Sequence, residues 1–312
     1  MNTQNKIYIA GHRGLIGSAL VRRLKLAGFT NLLTADHSDL DLTNSSETMS
    51  FFNTHCPDYV LLAAGKVGGI IENQTFPADF INTNLAIQLN VLKAAHAINV
   101  RKLILFGSSC MYPRECPQPM AESVLLTGKP ELTSSAYAIS KLAGLELCAA
   151  YNKQFGGQRY ISVIPNSAYG PNDNFDPKSG HVLSVLINRF HEAKTKHADS
   201  ITLWGSGSPR REFVHSDDIA DACIFILKNG GDVELPINIG VGEDYSIKEL
   251  AESIAAVTGY QGEIHWDTTK PDGAPRKLLD SQRINGYGWQ AKVKFNEGLK
   301  STYEWYLANI AH

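Results

Sequence analysis

The sequence has no charge surplus and no long apolar segment, and each absence excludes a class of protein. Its 29 basic and 31 acidic residues give a formal net charge of -2, whereas proteins that bind nucleic acid or anionic membranes usually carry a basic surplus. No uncharged apolar run reaches the ~18 residues of a transmembrane helix. The polar first residues run directly into a β-rich segment at Lys6, which leaves no room for a signal peptide. We therefore expect a cytoplasmic protein without nucleic-acid or membrane partners.

Cysteine is scarce as well. The five cysteines are an odd number without the spacing of a metal site, so no metal centre is predicted. In an unsecreted chain they should stay reduced. Cys148 and Cys223 lie in apolar helical segments and are expected to fill the core. Cys110 is the exception, because it follows a predicted strand end that also carries Ser108.

The first half of the chain alternates short β-rich segments with longer helical ones. Such alternation is typical of right-handed βαβ units and predicts an α/β fold with a doubly wound parallel (Rossmann) sheet. Strands are predicted at Lys6–Ala10, Leu32–Thr34, Tyr59–Ala64, Lys102–Gly107 and Tyr160–Pro165, and helices at Ile16–Ala27, Ser45–Thr54, Phe80–Ile98 and Tyr137–Phe155.

The pattern changes after Pro165. Residues 166–179 are rich in Gly, Pro, Asn and Asp, which predicts a long ordered loop. Further elements are predicted at Val182–Lys196, Ile201–Trp204, Ile219–Leu227, Pro236–Ile239 and Phe295–Ala308. We expect residues 1–165 plus about 213–240 to form a nucleotide-binding domain, and about 166–212 and 241–312 to form a smaller, interleaved substrate-binding domain.

A glycine-rich turn follows the first predicted strand and opens the first helix. Gly11, Gly14 and Gly17 have the spacing of a dinucleotide fingerprint, in which the helix N-terminus faces a pyrophosphate. The alternative is a glycine-rich turn without a ligand. The expected cofactor-binding residues are Gly11, His12, Arg13, Gly14, Leu15, Ile16 and Gly17, joined by Ala63 and Ala64 after the third strand.

Two residues point to different dinucleotides. Asp36 lies near the end of the second strand, where an acidic residue usually binds the ribose 2′-hydroxyl of NAD. Arg13, inside the glycine turn, could instead pair with the 2′-phosphate of NADP. The residues leave both possibilities open, with NADP(H) favoured.

Tyr137 and Lys141 are four residues apart and therefore share one helix face. A nearby cation is expected to lower the pKa of a phenol from about 10 towards a range useful for acid–base catalysis. Ser108 ends the fourth predicted strand, at the sheet edge where ligands bind, and its hydroxyl could orient a substrate carbonyl.

These motifs resemble the extended short-chain dehydrogenase/reductase family, and longer strings resemble the GDP-L-fucose synthases within it. The similar strings cover nearly the whole chain, and those after Pro165 are more diagnostic than the glycine turn. They are Ile9–Gly14, Lys66–Ile70, Pro77–Phe80, Gly107–Pro113, Pro119–Glu122, Tyr169–Phe175, Trp204–Gly207, Arg211–His215, Lys270–Gly273 and Arg276–Asp280.

The resemblance implies an NADPH-dependent homodimer that epimerises C3 and C5 of GDP-4-keto-6-deoxy-D-mannose and reduces its C4 ketone. Tyr137 would donate the proton to the C4 oxygen, Lys141 would tune Tyr137 and hold the cofactor, and Ser108 would orient the ketone. Cys110 and His181 would exchange protons at C3 and C5, with His181 also beside the cofactor. The implied substrate-binding residues are Arg189, Trp204, Arg211, Lys270 and Asp280.

The sequence departs from that family in two places. It has Asn166-Ser-Ala168 where members usually have Thr-Asn-Leu, and Asp36 and His37 where an arginine often faces the 2′-phosphate. A reductase of another GDP-4-keto sugar, such as a heptose, with or without epimerase activity, is therefore the alternative. A 4,6-dehydratase would need Thr-Asp-Glu in place of Ser108–Cys110, and a non-catalytic NADP-binding protein would not need the intact Ser, Tyr and Lys set.

Overall fold

The computed structural model describes residues 1–229, 233–270 and 272–311. Its first half contains β1 (Ile7–Ala10), α1 (Leu15–Leu26), β2 (Leu32–Leu33), α2 (Ser45–His55), β3 (Tyr59–Leu62), α3 (Ile70–Thr75), α4 (Pro77–Ala97), β4 (Lys102–Phe106), α5 (Ser135–Phe155) and β5 (Tyr160–Pro165). Its second half contains β6 (Ser167–Tyr169), α6 (Val182–Thr195), β7 (Ser200–Trp204), β8 (Arg210–Arg211), β9 (Phe213–His215), α7 (Ser216–Asn229), β10 (Ile237–Ile239), β11 (Tyr245–Ser246), α8 (Ile247–Thr258), β12 (Glu263–Asp267), β13 (Arg276–Lys277), α9 (Gln282–Gly286) and α10 (Phe295–Asn309).

Six parallel strands form the central sheet, in the order β2-β1-β3-β4-β5-β10. The strands are short apolar runs because both faces of the sheet are covered by helices. Ile7 and Ile9 of β1 face one core with α1 and α7, whereas Tyr8 and Ala10 face the other, with α2 and α4. The predicted doubly wound parallel sheet is confirmed.

The strand order places a ligand cleft above β1. The chain builds β2 on one side of β1 and then crosses to β3 on the other. The connections after β1 and β3 therefore diverge at the carboxyl edge of the sheet, where open α/β folds bind ligands. The glycine turn lies at this edge, directly after β1.

The remaining elements build a smaller layer beside that edge. Helices α6, α8 and α10 pack around a separate core that includes Phe190, Ile254 and Tyr303. Strand β7 pairs with β12, and β8 lies between β11 and β13. The chain then returns to the main sheet, since β10 pairs with β5 and α7 packs on α1.

Nine of these elements were not predicted from the sequence: the helices α3, α8 and α9 and the strands β6, β8, β9, β11, β12 and β13. Helix α8 does carry a local signal. Ser246 accepts the Glu249 N–H while the Glu249 carboxylate accepts the Ser246 N–H, and Gly259 ends the helix with a left-handed backbone. This capping box and terminal glycine are a recognisable helix start and stop. Among the described residues, no helix is both long and apolar enough to cross a bilayer.

Candidate active site

The glycine turn is closed on one side and open on the other. Gly11 has φ +80°, and a Cβ added to Gly17 would lie 2.0 Å from the Gly11 carbonyl oxygen, so the turn and the start of α1 pack too closely for side chains. A Cβ on Gly14 would meet only the Gly11 oxygen, at 3.5 Å. The space before the N-terminus of α1 is therefore open, as a bound pyrophosphate requires.

Two cavities meet at this turn and form one cleft along the sheet edge. The first, of about 480 Å³, lies between the glycine turn and the residues after β2. The second, of about 360 Å³, reaches from α1 to the ends of β4 and β5 and the start of α6. Both are lined by Gly14, Ala63 and Gly65. The first is lined by the predicted residues Gly11, His12, Arg13, Asp36 and Ala64, and the second by Leu15, Ile16, Gly17, Ser108, Tyr137, Lys141 and His181.

Ser108 and Tyr137 meet inside the second cavity. The Ser108 hydroxyl accepts the Cys110 N–H at 3.3 Å, which fixes it at the start of a short 3-10 turn, Ser109–Met111. Tyr137 is buried, with its ring edge-on to Phe80 at 6.1 Å between centroids. Burial raises the pKa of Tyr137 above its usual value, as does the Cys110 charge, and a hydrogen bond with Ser108 opposes the rise. Tyr137 therefore holds its proton at neutral pH.

Lys141 does not act on Tyr137 as expected from the sequence. Its Nζ donates to the Phe106 carbonyl oxygen at 3.0 Å and lies 5.8 Å from the Tyr137 ring centroid. Burial lowers the pKa of Lys141 to about 8, because desolvation disfavours the charged form. The same burial outweighs any lowering of the Tyr137 pKa, so the predicted direction of that shift was wrong.

Cys110 is close to both Tyr137 and the half-buried Arg211. Its thiol is close enough to Tyr137 and to Arg211 for a charge on sulfur to shift both of their pKa values. Arg211 donates from Nη1 to the carbonyl oxygens of Ala274, at 2.7 Å, and Arg210, at 2.8 Å. The structure thus brings Cys110 and Arg211, from distant sequence motifs, close together.

His181 has a carboxylate neighbour that the sequence did not single out. His181 is the N-cap residue of α6, and both it and Asp173 line the second cavity. The Asp173 carboxylate accepts the Ser184 hydroxyl and, at 2.8 Å, the Asn174 N–H. Burial raises the pKa of Asp173, whereas the Ser184 hydrogen bond and the nearby His181 charge lower it. An acidic group beside a histidine can fix its tautomer and stabilise its protonated form.

Glu212 was also missed, and it holds the segment where the chain departs from the family pattern. It is fully buried and accepts Asn166 Nδ2 at 2.5 Å and the backbone N–H groups of Val241, Gly242 and Leu279 at 2.6, 2.9 and 3.0 Å. Burial raises its pKa, and these bonds lower it. Through Asn166, it fixes the backbone that runs along the second cavity.

The predicted substrate residues lie outside the linings of these two cavities, as far as the described residues show. Trp204 is 65% exposed, with Lys270 Nζ 5.9 Å from its ring. Arg189 donates to the Thr202 carbonyl oxygen at 2.7 Å. The Asp280 carboxylate accepts the Gln282 N–H at 2.8 Å, at the start of α9, so it is engaged locally. No cluster of metal-ligating side chains occurs in the described parts of the chain.

Comparison with known proteins assigns the chain to one family. Residues 7–240 match the profile of the NAD dependent epimerase/dehydratase family. The chain belongs to this family. It is 52% identical to GDP-L-fucose synthase 1 of Arabidopsis thaliana, over 98% of this chain and 94% of that protein.

Two solved structures share its architecture over nearly the whole length. A GDP-L-fucose synthetase from Naegleria fowleri bound to NADP has a TM-score of 0.92 at 28% identity, covering 99% of this chain and 94% of that one. A GDP-6-OMe-4-keto-L-xylo-heptose reductase from C. jejuni has a TM-score of 0.91 at 36% identity, covering 99% of both chains. Both of these relatives are named for GDP-linked sugars, but the sugars differ.

Proposed function

We propose that this protein converts GDP-4-keto-6-deoxy-D-mannose into GDP-L-fucose, by NADPH-dependent epimerisation at C3 and C5 and reduction at C4. The observation that carries the proposal is the meeting of Ser108, Tyr137, Lys141 and His181 in one cavity, beside the open glycine turn. The identity to an Arabidopsis GDP-L-fucose synthase over nearly the full chain supports the same activity.

The cleft fits NADP(H), which supplies the hydride when bound. The amides at the start of α1 face the open space before Gly14 and suit the pyrophosphate. Ala63 and Ala64 line the floor of the cleft, where small side chains let the dinucleotide approach. Lys141 and His181 lie at its far end, beside Tyr137. Residues 1–165 with about 213–240 would hold this cofactor, and about 166–212 with 241–312 the GDP-sugar.

Tyr137 acts as the general acid in the reduction. Its raised pKa keeps the phenol protonated, so that it can donate to the C4 oxygen as negative charge develops there. Ser108, already hydrogen-bonded to Tyr137, holds the same oxygen. Lys141, with its pKa lowered to about 8, can return a proton to the site near neutral pH.

Cys110 and His181 carry the epimerisation. The C4 ketone acidifies the C–H bonds at C3 and C5, so a weak acid–base pair is sufficient to remove a proton from one face and return it to the other. Arg211 lies near Cys110 and is anchored by its hydrogen bonds to the carbonyl oxygens of Arg210 and Ala274. Arg189, Trp204, Lys270 and Asp280 complete the proposed GDP-sugar site.

The protein would act as a homodimer in the cytoplasm. Helices α4 and α5 pack side by side and expose Leu89 and Phe155, which supports an interface on their outer faces. The five cysteines are free, as is usual in a reducing compartment. Light scattering tests the dimer, and a monomer at micromolar concentration would exclude it.

The decisive experiment is NADPH oxidation with GDP-4-keto-6-deoxy-D-mannose at ~pH 7, where general acid–base groups of this kind work, with the product identified by NMR. GDP-L-fucose as the product supports the proposal. Absence of turnover with this sugar, but turnover with a GDP-4-keto heptose, would favour the second candidate, a heptose reductase. That candidate is motivated by the similarity to the C. jejuni enzyme and by the small side chains Ser167 and Ala168 in the second cavity.

A further inference from the structure

The two residues that point to different dinucleotides are in contact with each other. The Arg13 guanidinium hydrogen-bonds Asp36 Oδ2. Arg13 is 77% exposed and Asp36 is 27% exposed, so the arginine covers the carboxylate from the solvent side. Both line the first cavity, which lies at the end of the cleft away from Tyr137.

The second oxygen of Asp36 has no hydrogen bond within the described part of the chain. Oδ1 is buried, and His12 Nε2 lies 3.4 Å from it without completing a hydrogen bond. The other carboxylate of this cavity, Asp41, is already occupied by the Thr43 N–H and hydroxyl at 2.9 and 2.8 Å. A buried acceptor without a donor is costly unless a ligand supplies one.

The backbone holds this acceptor in place. The Asp36 carbonyl oxygen accepts the N–H groups of Asp39 and Leu40, both at 3.0 Å. The turn after β2 therefore fixes the carboxylate at the edge of the cavity, whereas Arg13 has a long, exposed and adaptable side chain. Of the two partners, only the arginine can easily change its contact.

We propose that Asp36 and Arg13 form an exchangeable pair that lets the cleft bind NADH as well as NADPH. With NADH, Arg13 stays on Asp36 Oδ2 and the ribose 2′-hydroxyl donates to Oδ1. With NADPH, Arg13 leaves Asp36 to pair with the 2′-phosphate. The inference rests on the proposed function in one respect, that the cleft binds a nicotinamide dinucleotide.

The charges of Asp36 and Arg13 explain why the pair should bind NADPH and NADH with similar affinity. A 2′-phosphate brings a charge of about −1.5 to −2 next to a carboxylate that has just lost its cation. The attraction to Arg13 is thus offset by repulsion from Asp36 and by the lost ion pair. NADH gains a hydrogen bond to a charged acceptor and breaks no existing contact. We expect the two Kd values to differ by no more than about tenfold, since each effect is of the order of one charged hydrogen bond.

Direct binding tests this without relying on turnover. The Kd values of NADPH and NADH would be measured by calorimetry, at constant ionic strength, for the wild type, Asp36→Asn and Arg13→Ala. Asp39→Asn is the matched control, because it removes the same charge from the same turn but does not line the cavity. Thermal unfolding of each variant checks that it is folded.

The two substitutions should shift the preference between NADH and NADPH in opposite directions. Asp36→Asn should weaken NADH about tenfold and tighten NADPH severalfold, and Arg13→Ala should weaken NADPH about thirtyfold with little effect on NADH. Wild-type protein whose Kd values for NADH and NADPH differ by more than about tenfold, or an Asp36→Asn variant with both Kd values unchanged, would overturn the inference.

The outcomes separate this inference from the proposed function. If neither dinucleotide binds the folded wild type, both fail. If the two bind as expected but no GDP-4-keto sugar is turned over with either, the inference stands and the proposed function fails. Steady-state oxidation of NADH alongside NADPH, with the sugar identified above, then shows that the bound NADH also reacts.

Discussion

Replacing Tyr137 by Phe should stop reduction and leave the rest of the protein intact. The change removes only the phenolic oxygen, and the ring keeps its edge-on contact with Phe80. A general acid in the correct position contributes typically 10²–10⁴-fold, so kcat for NADPH oxidation should fall by about a thousandfold. Loss of the hydrogen bond with Ser108 should cost about 1 kcal/mol of stability.

Proton exchange at C3 and C5 is the matching readout. It depends on Cys110 and His181, so solvent deuterium uptake by the sugar in Tyr137→Phe should fall by much less than reduction does. Tyr160→Phe is the control, because it also deletes a buried hydroxyl, which lies 3.0 Å from His96 Nδ1. If Tyr137→Phe reduces the sugar at a rate within about tenfold of the wild type, the loss is much smaller than that expected for a general acid. That result would refute the assigned proton donor.

Four further predictions follow from individual contacts. Cys110→Ser and His181→Asn should each slow deuterium uptake at C3 and C5 by at least about tenfold, and unchanged uptake in both would remove them from the epimerisation. Asp173→Asn should slow that uptake severalfold, because His181 loses the carboxylate that can fix its tautomer; unchanged uptake would exclude this role. Lys141→Met should abolish turnover but stabilise the fold at pH 7 by up to about 3 kcal/mol. Burial lowers the pKa of Lys141 from 10.5 to about 8, so the charged lysine destabilises the folded protein below the folded pKa. This destabilisation disappears as pH rises from about 8 to 10.5, and the variant should lose its advantage over the same range. Glu212→Gln should destabilise the protein by about 3 kcal/mol because four donors lose their charged acceptor, and denaturant unfolding within 0.5 kcal/mol of wild type, the range of a neutral surface change, would contradict this.

The fold could be predicted because its signals are local. Each of β1, β3 and β5 is an apolar run bounded by polar or helical sequence, and Gly11–Gly17 occupies the turn where such a fold needs it. Helix α3 has six residues, too few to show a helical period. Helix α8 was missed although Ser246, Glu249 and Gly259 mark its ends.

The candidate catalytic residues could be predicted only as separate motifs. Ser108, Tyr137 and His181 belong to recognisable strings, but nothing local indicates that Asp173 lies beside His181 or that Cys110 lies beside Arg211. Glu212 has partners at 166, 241, 242 and 279, so its role depends entirely on tertiary contacts. Long-range partners of this kind leave no periodic pattern in the sequence.

The direction of the Tyr137 pKa shift depends on burial, and it decides which form of the phenol is present when the substrate binds. An enzyme that oxidises an alcohol needs a phenolate base, and a cation that lowers the tyrosine pKa serves that purpose. Here burial raises the pKa of Tyr137 and lowers that of Lys141 to about 8. The phenol therefore stays protonated at neutral pH, as a group that donates a proton to the C4 oxygen must be. Spacing alone could not reveal this, because it places Lys141 near Tyr137 but does not show how deeply both side chains are buried.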